Sequence, residues 1–268
     1  MWDDRMSEEV FENIIFAVTN LLPASVEIRG KILESKCYQR IQALGNHYKS
    51  DRIDEGMSYL LCNCLENSKD SILDYKTACN ILKRLVQLCQ NDVNEKCQIV
   101  YETMYGIHYF LSNCGTEDHK RMKFVYSLQC VKLIEKYIST PHSSLHSIVS
   151  MLATQLSEYP ETEIEHLASP KICSEMISQL KNGNTEESKI NAMKFIFNMV
   201  ANGTKTGDAV IRNDVEVFNE VQSNLMPMSS NALMEVSVRF IRVFFTYWNS
   251  YQQRVNVLRE NYQVNAVI

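Results

Sequence analysis

Residues 184–202 read NTEESKINAMKFIFNMVAN, and the fold turns on how their apolar positions recur. Asn184 and Glu187 have the spacing of a capping box, an amide oxygen on an orphan N–H and a carboxylate reaching back. Ile190, Met193, Ile196, Phe197 and Val200 follow at three- and four-residue steps, which places one buried stripe on a helix. Asn191, Lys194, Asn198 and Asn202 recur at the same steps on another face, one with no obvious core duty. The same type of helix returns at 12–22, 56–67, 102–115, 148–158 and 235–245. Aligned on one face position, Phe16, Tyr59, Tyr105, Met151, Lys194 and Val238 lie 43, 46, 46, 43 and 44 residues apart.

A period of about 40–47 residues with two or three helices per unit is the mark of armadillo or HEAT repeats. Shorter amphipathic pieces lie between the aligned helices, at 25–35 and 38–48 and again at 162–168 and 171–181. Two short helices with one long helix favour armadillo. The expectation is an all-α fold, a right-handed α-solenoid of armadillo (ARM/HEAT-like) repeats. It would form a single domain over 1–268 with about six repeats, the first incomplete. The alternative is an irregular helical bundle.

Composition agrees with this. The chain has 268 residues, 45% hydrophobic and 22% charged, with 8 Gly and 5 Pro. That is too little punctuation for a β-sandwich or barrel with a turn about every 10 residues. Pro23, Pro141, Pro160, Pro170 and Pro227 each fall at the edge of an amphipathic run, where a missing N–H costs least. A formal charge of −5 gives no support for nucleic acid as the main ligand. No apolar run reaches the roughly 18 residues of a membrane span, and the start, MWDDRMSEEV, is acidic where a secretory signal would be basic. Nine cysteines in that context read as reduced thiols of a protein of the cytoplasm or nucleus.

No set of residues has the pattern of a catalytic or metal site. Cys62 and Cys64 lack a second pair at zinc spacing and read as small buried residues. His142 and His146, four apart, lack the Glu and third ligand of a metalloprotease helix and read as surface polar groups. EDHKRMK (117–123) reads as solvated surface. Phosphate-cradling and nucleophile-elbow motifs are absent. The chain is expected not to be an enzyme, with no cofactor and no metal.

FAVTN (16–20), YLLCN (59–63), YGIHYFLSNCG (105–115) and KFIFNMVANG (194–203) resemble the W-x-x-x-N third helices of importin-α, the adaptor family that binds nuclear localisation signals. Tyr109 stands where the family's third segment also carries Tyr in place of Asn. DYKTAC (74–79) and DAVIRNDV (208–215) are similar to the family's step into the next repeat. The likeness spans most of the chain but is dilute, and nothing matches the family's basic importin-β-binding segment.

In that family, Asn amides bond the backbone of an extended peptide, while Trp rings form slots for Lys and Arg stems. Stacked rings hold the cationic heads, at about 0.5–2 kcal/mol each. The resemblance therefore implies a peptide groove lined by Phe16, Asn20, Tyr59, Asn63, Tyr105 and Tyr109 in the first half, with Glu12 and Glu102 nearby. The second half would present Met151, Gln155, Lys194, Asn198, Val238 and Arg242. No Trp stands at a ladder position. The first half would take a basic segment. Lys194 and Arg242, with Arg239 beside them, would make the second half reject a basic segment and suit an acidic one. Tyr59 and Tyr105 are equally readable as packing between helices. The expected function is a protein-binding module, a nuclear import adaptor in the leading reading. The alternative is a repurposed scaffold subunit that no longer binds localisation signals.

Overall fold

A computed structural model describes residues 6–48, 50–66, 73–91, 96–112, 118–159, 162–202 and 204–213, with Glu235, Val238 and Arg239 beyond them. Among the described residues the regular structure is entirely helical. The order is α1 (Glu8–Leu21), α2 (Val26–Glu34), α3 (Lys36–His47), α4 (Asp51–Leu65), α5 (Tyr75–Asn91), α6 (Cys97–Ser112), α7 (Asp118–Ser127), α8 (Cys130–Tyr137) and α9 (Ser143–Ser157). A 3-10 segment (Thr162–Leu167), α10 (Pro170–Asn182), α11 (Glu186–Ala201) and α12 (Thr204–Asn213) follow.

Hydroxyl side chains start six of these helices. Ser7, Ser25, Ser35, Ser50 and Ser169 each accept a hydrogen bond from the backbone N–H three residues on, and Pro170 opens α10 where no N–H is needed. Such a cap contributes about 1 kcal/mol to its helix. At α11 the cap is Thr185, which accepts from Ser188, so the helix begins one residue later than the Asn184–Glu187 box implies. Among the described residues between Glu66 and Cys97 one long helix, α5, stands where two short segments occur elsewhere.

The chain forms two compact units, Met1–Cys130 and Val131–Ile268. In the first, α4 packs against α1, α5 and α6 and is surrounded for most of its length. Its buried residues run from Ile53 and Met57 to Leu65. In the second, α11 packs against α9, α10 and α12 and buries Ala192, Met193, Phe195, Ile196, Met199 and Val200. Ile190 and Phe197, placed in the stripe by sequence, are half-buried at its border.

Side chains from other helices satisfy carbonyls at the ends of the long ones. Arg29 of α2, 7% exposed, donates from Nε to Leu22 O (3.3 Å) and from Nη1 to Glu66 O (2.6 Å), at the ends of α1 and α4. Arg121 of α7 donates to Phe110 O at 2.9 Å, its guanidinium 4.8 Å from the Phe110 ring centroid. Thr206 of α12 donates to Met199 O. These donors meet carbonyls that a helix end leaves without intrahelical partners. They also correct the reading of 117–123 as surface, because Arg121 and Met122 are both buried.

Candidate functional site

In the first unit, α1, α4 and α6 lie side by side, and their shared face carries the residues that sequence assigned to a groove. From Met57 to Leu65, Tyr59 is the one exposed residue, at 40%. A helix buried on every other side presents that ring outward. Phe16 on α1 is 65% exposed, and Phe16 and Tyr59 line one cleft of about 430 Å³ together with Glu12, Arg52, Glu55 and Gln98. The cleft thus combines two exposed rings with two carboxylates. Both carboxylates already have a cation near them. Arg52 Nη1 is 3.7 Å from Glu12 Oε2, and Lys96 Nζ is 3.4 Å from Glu55 Oε1 and 2.9 Å from Asp51 Oδ2.

One turn beyond each ring stands an Asn. Asn20 is exposed, whereas Asn63 is 8% exposed and its Nδ2 has no hydrogen-bond partner. A buried donor without an acceptor costs about 1–3 kcal/mol. On α6, Tyr105 and Tyr109 are half-buried members of a row of three. The ring of Tyr101 lies 4.7 Å from Tyr105, and that of Tyr105 lies 5.8 Å from Tyr109. Sequence reasoning missed Tyr101, though its four-residue step from Tyr105 is the same helical signal. The hydrogen bond to Tyr105 pushes the Tyr101 phenol up to about 12, and burial does the same for Tyr109.

Glu102 is not a groove acid. It is 5% exposed, Gln98 Nε2 donates to its Oε1 at 2.5 Å, and its carboxyl also contacts Cys62. Burial raises its pKa, with the bonds from Cys62 and Gln98 acting against that rise. Cys62 and Cys64 are both buried, and Cys64 contacts Tyr38.

The second unit treats the corresponding positions differently. Asn198 is half-buried and its Nδ2 donates to Ser157 Oγ at 3.0 Å, so the ladder amide is used inside the protein. Thr154 Oγ1 lies 2.9 Å from Asn191 O, a further tie between α9 and α11. Met151 and Gln155 are half-buried, and Lys194 is exposed. Val238 and Arg239 are exposed, and Arg239 pairs with Glu235 at 2.6 Å. Arg242 lies outside the described residues.

His146, read as a surface group, belongs instead to a half-buried network. Its Nε2 is 2.9 Å from Glu175 Oε1 and 3.0 Å from Gln179 Nε2, and it lines a cavity of about 290 Å³. The partner residues lie 29 and 33 positions away. A sequence pattern carries no sign of that pairing. Among the described residues no group of His, Cys, Asp and Glu could hold a metal ion, and no helix is long and apolar enough to cross a membrane.

No protein-family model matches this sequence, and no curated protein sequence matches it either. Solved structures do match. A designed armadillo-repeat protein in complex with the peptide (KR)4 has a TM-score of 0.70 and 11% identity, over 90% of this chain and 95% of that one. A second designed armadillo-repeat protein gives a TM-score of 0.72 at 10% identity, over 90% and 95% of the two chains. Computationally designed armadillo repeats for modular peptide recognition give 0.70 at 11%, over 88% and 94%. The fold is therefore that of an armadillo-repeat solenoid. At this identity the likeness speaks for the fold alone.

Proposed function

We propose that this protein is a peptide-binding armadillo scaffold that takes an extended, basic segment of a partner protein along the α1–α4–α6 face. The observation that carries the reading is the Phe16–Tyr59 cleft, where two exposed rings flank Glu12 and Glu55. Rings attract a Lys or Arg head through their faces, and carboxylates add sign selection. Arg52, highly exposed, swings away from Glu12 to admit the incoming cation. A peptide carbonyl gives Asn63 Nδ2 the acceptor that it lacks. A designed armadillo protein of the same fold is known bound to (KR)4, which supports a ligand of this kind. Nuclear import, as an adaptor moving between cytoplasm and nucleus, is the cellular role that this chemistry suits. Binding of this type involves no catalysis.

The internal use of Asn198 favours a second reading for the other unit. With its ladder amide bound to Ser157, α11 offers less to a peptide backbone, and exposed Lys194 suits an acidic segment of a partner held in a complex. In that case the protein is a repurposed scaffold.

The test is a fluorescence-anisotropy titration of labelled Lys/Arg-rich and Glu-rich peptides against the full chain. The basic peptide should bind, and Phe16→Ala and Tyr59→Ala should each weaken it about tenfold, equivalent to about 1.4 kcal/mol. An unchanged affinity in both variants would move the binding surface elsewhere.

A further inference from the structure

The cavity of about 290 Å³ in the second unit lies between the first half of α9, the second half of α10 and the turn into α11. Its wall has thirteen residues, and none carries an aliphatic or benzenoid side chain. Five are serines and three are asparagines; Thr185, Gln179, Gly183, His146 and Glu175 complete it. The one carboxylate is already engaged, Glu175 Oε1 lying 2.9 Å from His146 Nε2. Gln179, 5% exposed, fixes the wall from behind, its Nε2 2.6 Å from Ser150 Oγ. Ser150 in turn donates to His146 O at 2.8 Å. On the same buried amide, Gln179 Oε1 has no hydrogen-bond partner.

The side chains on this wall are hydroxyls and amides with few exceptions, and together they can hold a ligand by several hydrogen bonds. An anionic group entering would lose its water and meet Glu175, the one carboxylate on the wall. Hydroxyls and primary amides both donate and accept, which matches a lining of Ser, Asn and Gln. A donor among them also answers Gln179 Oε1.

Asn191, on the wall, stands one helical turn before Lys194 on α11. The cavity therefore adjoins the face on which an extended peptide would lie. We propose that it is a binding site for the uncharged polar side chains, Asn, Gln, Ser or Thr, of an extended peptide. This shares with the reading above only the extended form of the ligand.

The experiment titrates three labelled peptides of equal length, Asn/Ser-rich, Glu-rich and Lys-rich, against the full chain. It is repeated with Ser147→Tyr and Ser178→Tyr, which fill the cavity from α9 and α10 at exposed positions, with helicity checked by circular dichroism. The Asn/Ser-rich peptide should bind at least fivefold more tightly than the Glu-rich one. Each Tyr variant should weaken it at least tenfold, while Phe16→Ala and Tyr59→Ala leave it unchanged. The Lys-rich peptide reports separately on the first unit, and its failure to bind would sink that reading alone. No measurable binding of the Asn/Ser-rich peptide, equal binding of the Glu-rich peptide, or indifference to both Tyr variants would overturn the proposal.

Discussion

Asn198 donates from Nδ2 to Ser157 Oγ at 3.0 Å, and through that bond α11 holds the end of α9. Asn63 holds the same register on α4, four residues after an aligned position, yet its buried Nδ2 bonds to nothing. Two residues that look alike in sequence thus differ in what they can do. The first stabilises the fold. The second leaves a donor unsatisfied, an arrangement that persists when a ligand or the surrounding packing repays it.

Replacing each amide by Leu should separate these roles. Asn198→Leu loses the hydrogen bond that Ser157 accepts, although the Ser157 hydroxyl still donates to Thr154 O at 2.6 Å, so urea unfolding should show a loss of about 1 kcal/mol. Asn63→Leu removes a donor that has no partner and should leave stability unchanged or slightly raised. It should also weaken a bound basic peptide. A large destabilisation by Asn63→Leu would show that its amide serves the fold.

Arg29 should be intolerant of Lys as well as of Met. Its fork reaches Leu22 O and Glu66 O at once, which a single ammonium cannot reproduce. Both variants should lose about 2 kcal/mol in chemical denaturation, the cost of stranding buried carbonyls. If Lys restores most of the stability, positive charge at the helix ends suffices and the fork is not needed.

Gly106 lets α6 approach its neighbour closely. A Cβ there would come within 2.3 Å of Leu85 Cδ2 and 3.4 Å of Leu65 Cδ1. Leu85 is fully buried and has little room to yield. Gly106→Ala should therefore cost about 1–2 kcal/mol despite the better helix propensity of Ala. In a Leu85→Ala background the sign should reverse, since the new methyl then fills a cavity. Additive effects in thermal melts would rule out this contact as the cause.

Glu102 should make stability fall as pH rises. Burial raises its folded-state pKa, so over the interval above the usual carboxylate range the folded protein binds more protons than the unfolded chain. Its contribution is most favourable below the unfolded pKa and is lost as pH climbs through the folded value. Glu102→Gln keeps the acceptor for Gln98 and removes the charge. The variant should be more stable than wild type at pH 8 and gain nothing at pH 4, as read from paired urea curves. An equal gain at both pH values would mean that the carboxyl is not the titrating group.

Local periodicity was legible in the sequence. Helices recur every forty-odd residues because each long helix must bury one stripe, and that stripe appears as three- and four-residue steps in any stretch of chain. The sequence places the start of α11 one residue early, at Asn184, because Thr185 beside it can cap just as well and only the backbone geometry chooses between them. Tyr59 could not be settled this way. An exposed ring and a packed ring show the same spacing, and the burial of Ser58 and of every residue from Leu60 to Leu65 around it decides between them.

The sequence by itself determined that this chain is helical, that its long helices repeat, and which side chains share a helix face. All three follow from contacts a few residues apart, where geometry depends on local spacing alone. Tertiary structure decided the fate of each polar group, because its partner comes from another helix. Ser157 claims Asn198 across 41 residues, Glu66 O claims Arg29 across 37, and Glu175 claims His146 across 29. Glu102 looks like a surface acid in a row of letters and is a buried one in the fold. Burial and pairing depend on which surfaces meet, and that meeting is written in no single segment.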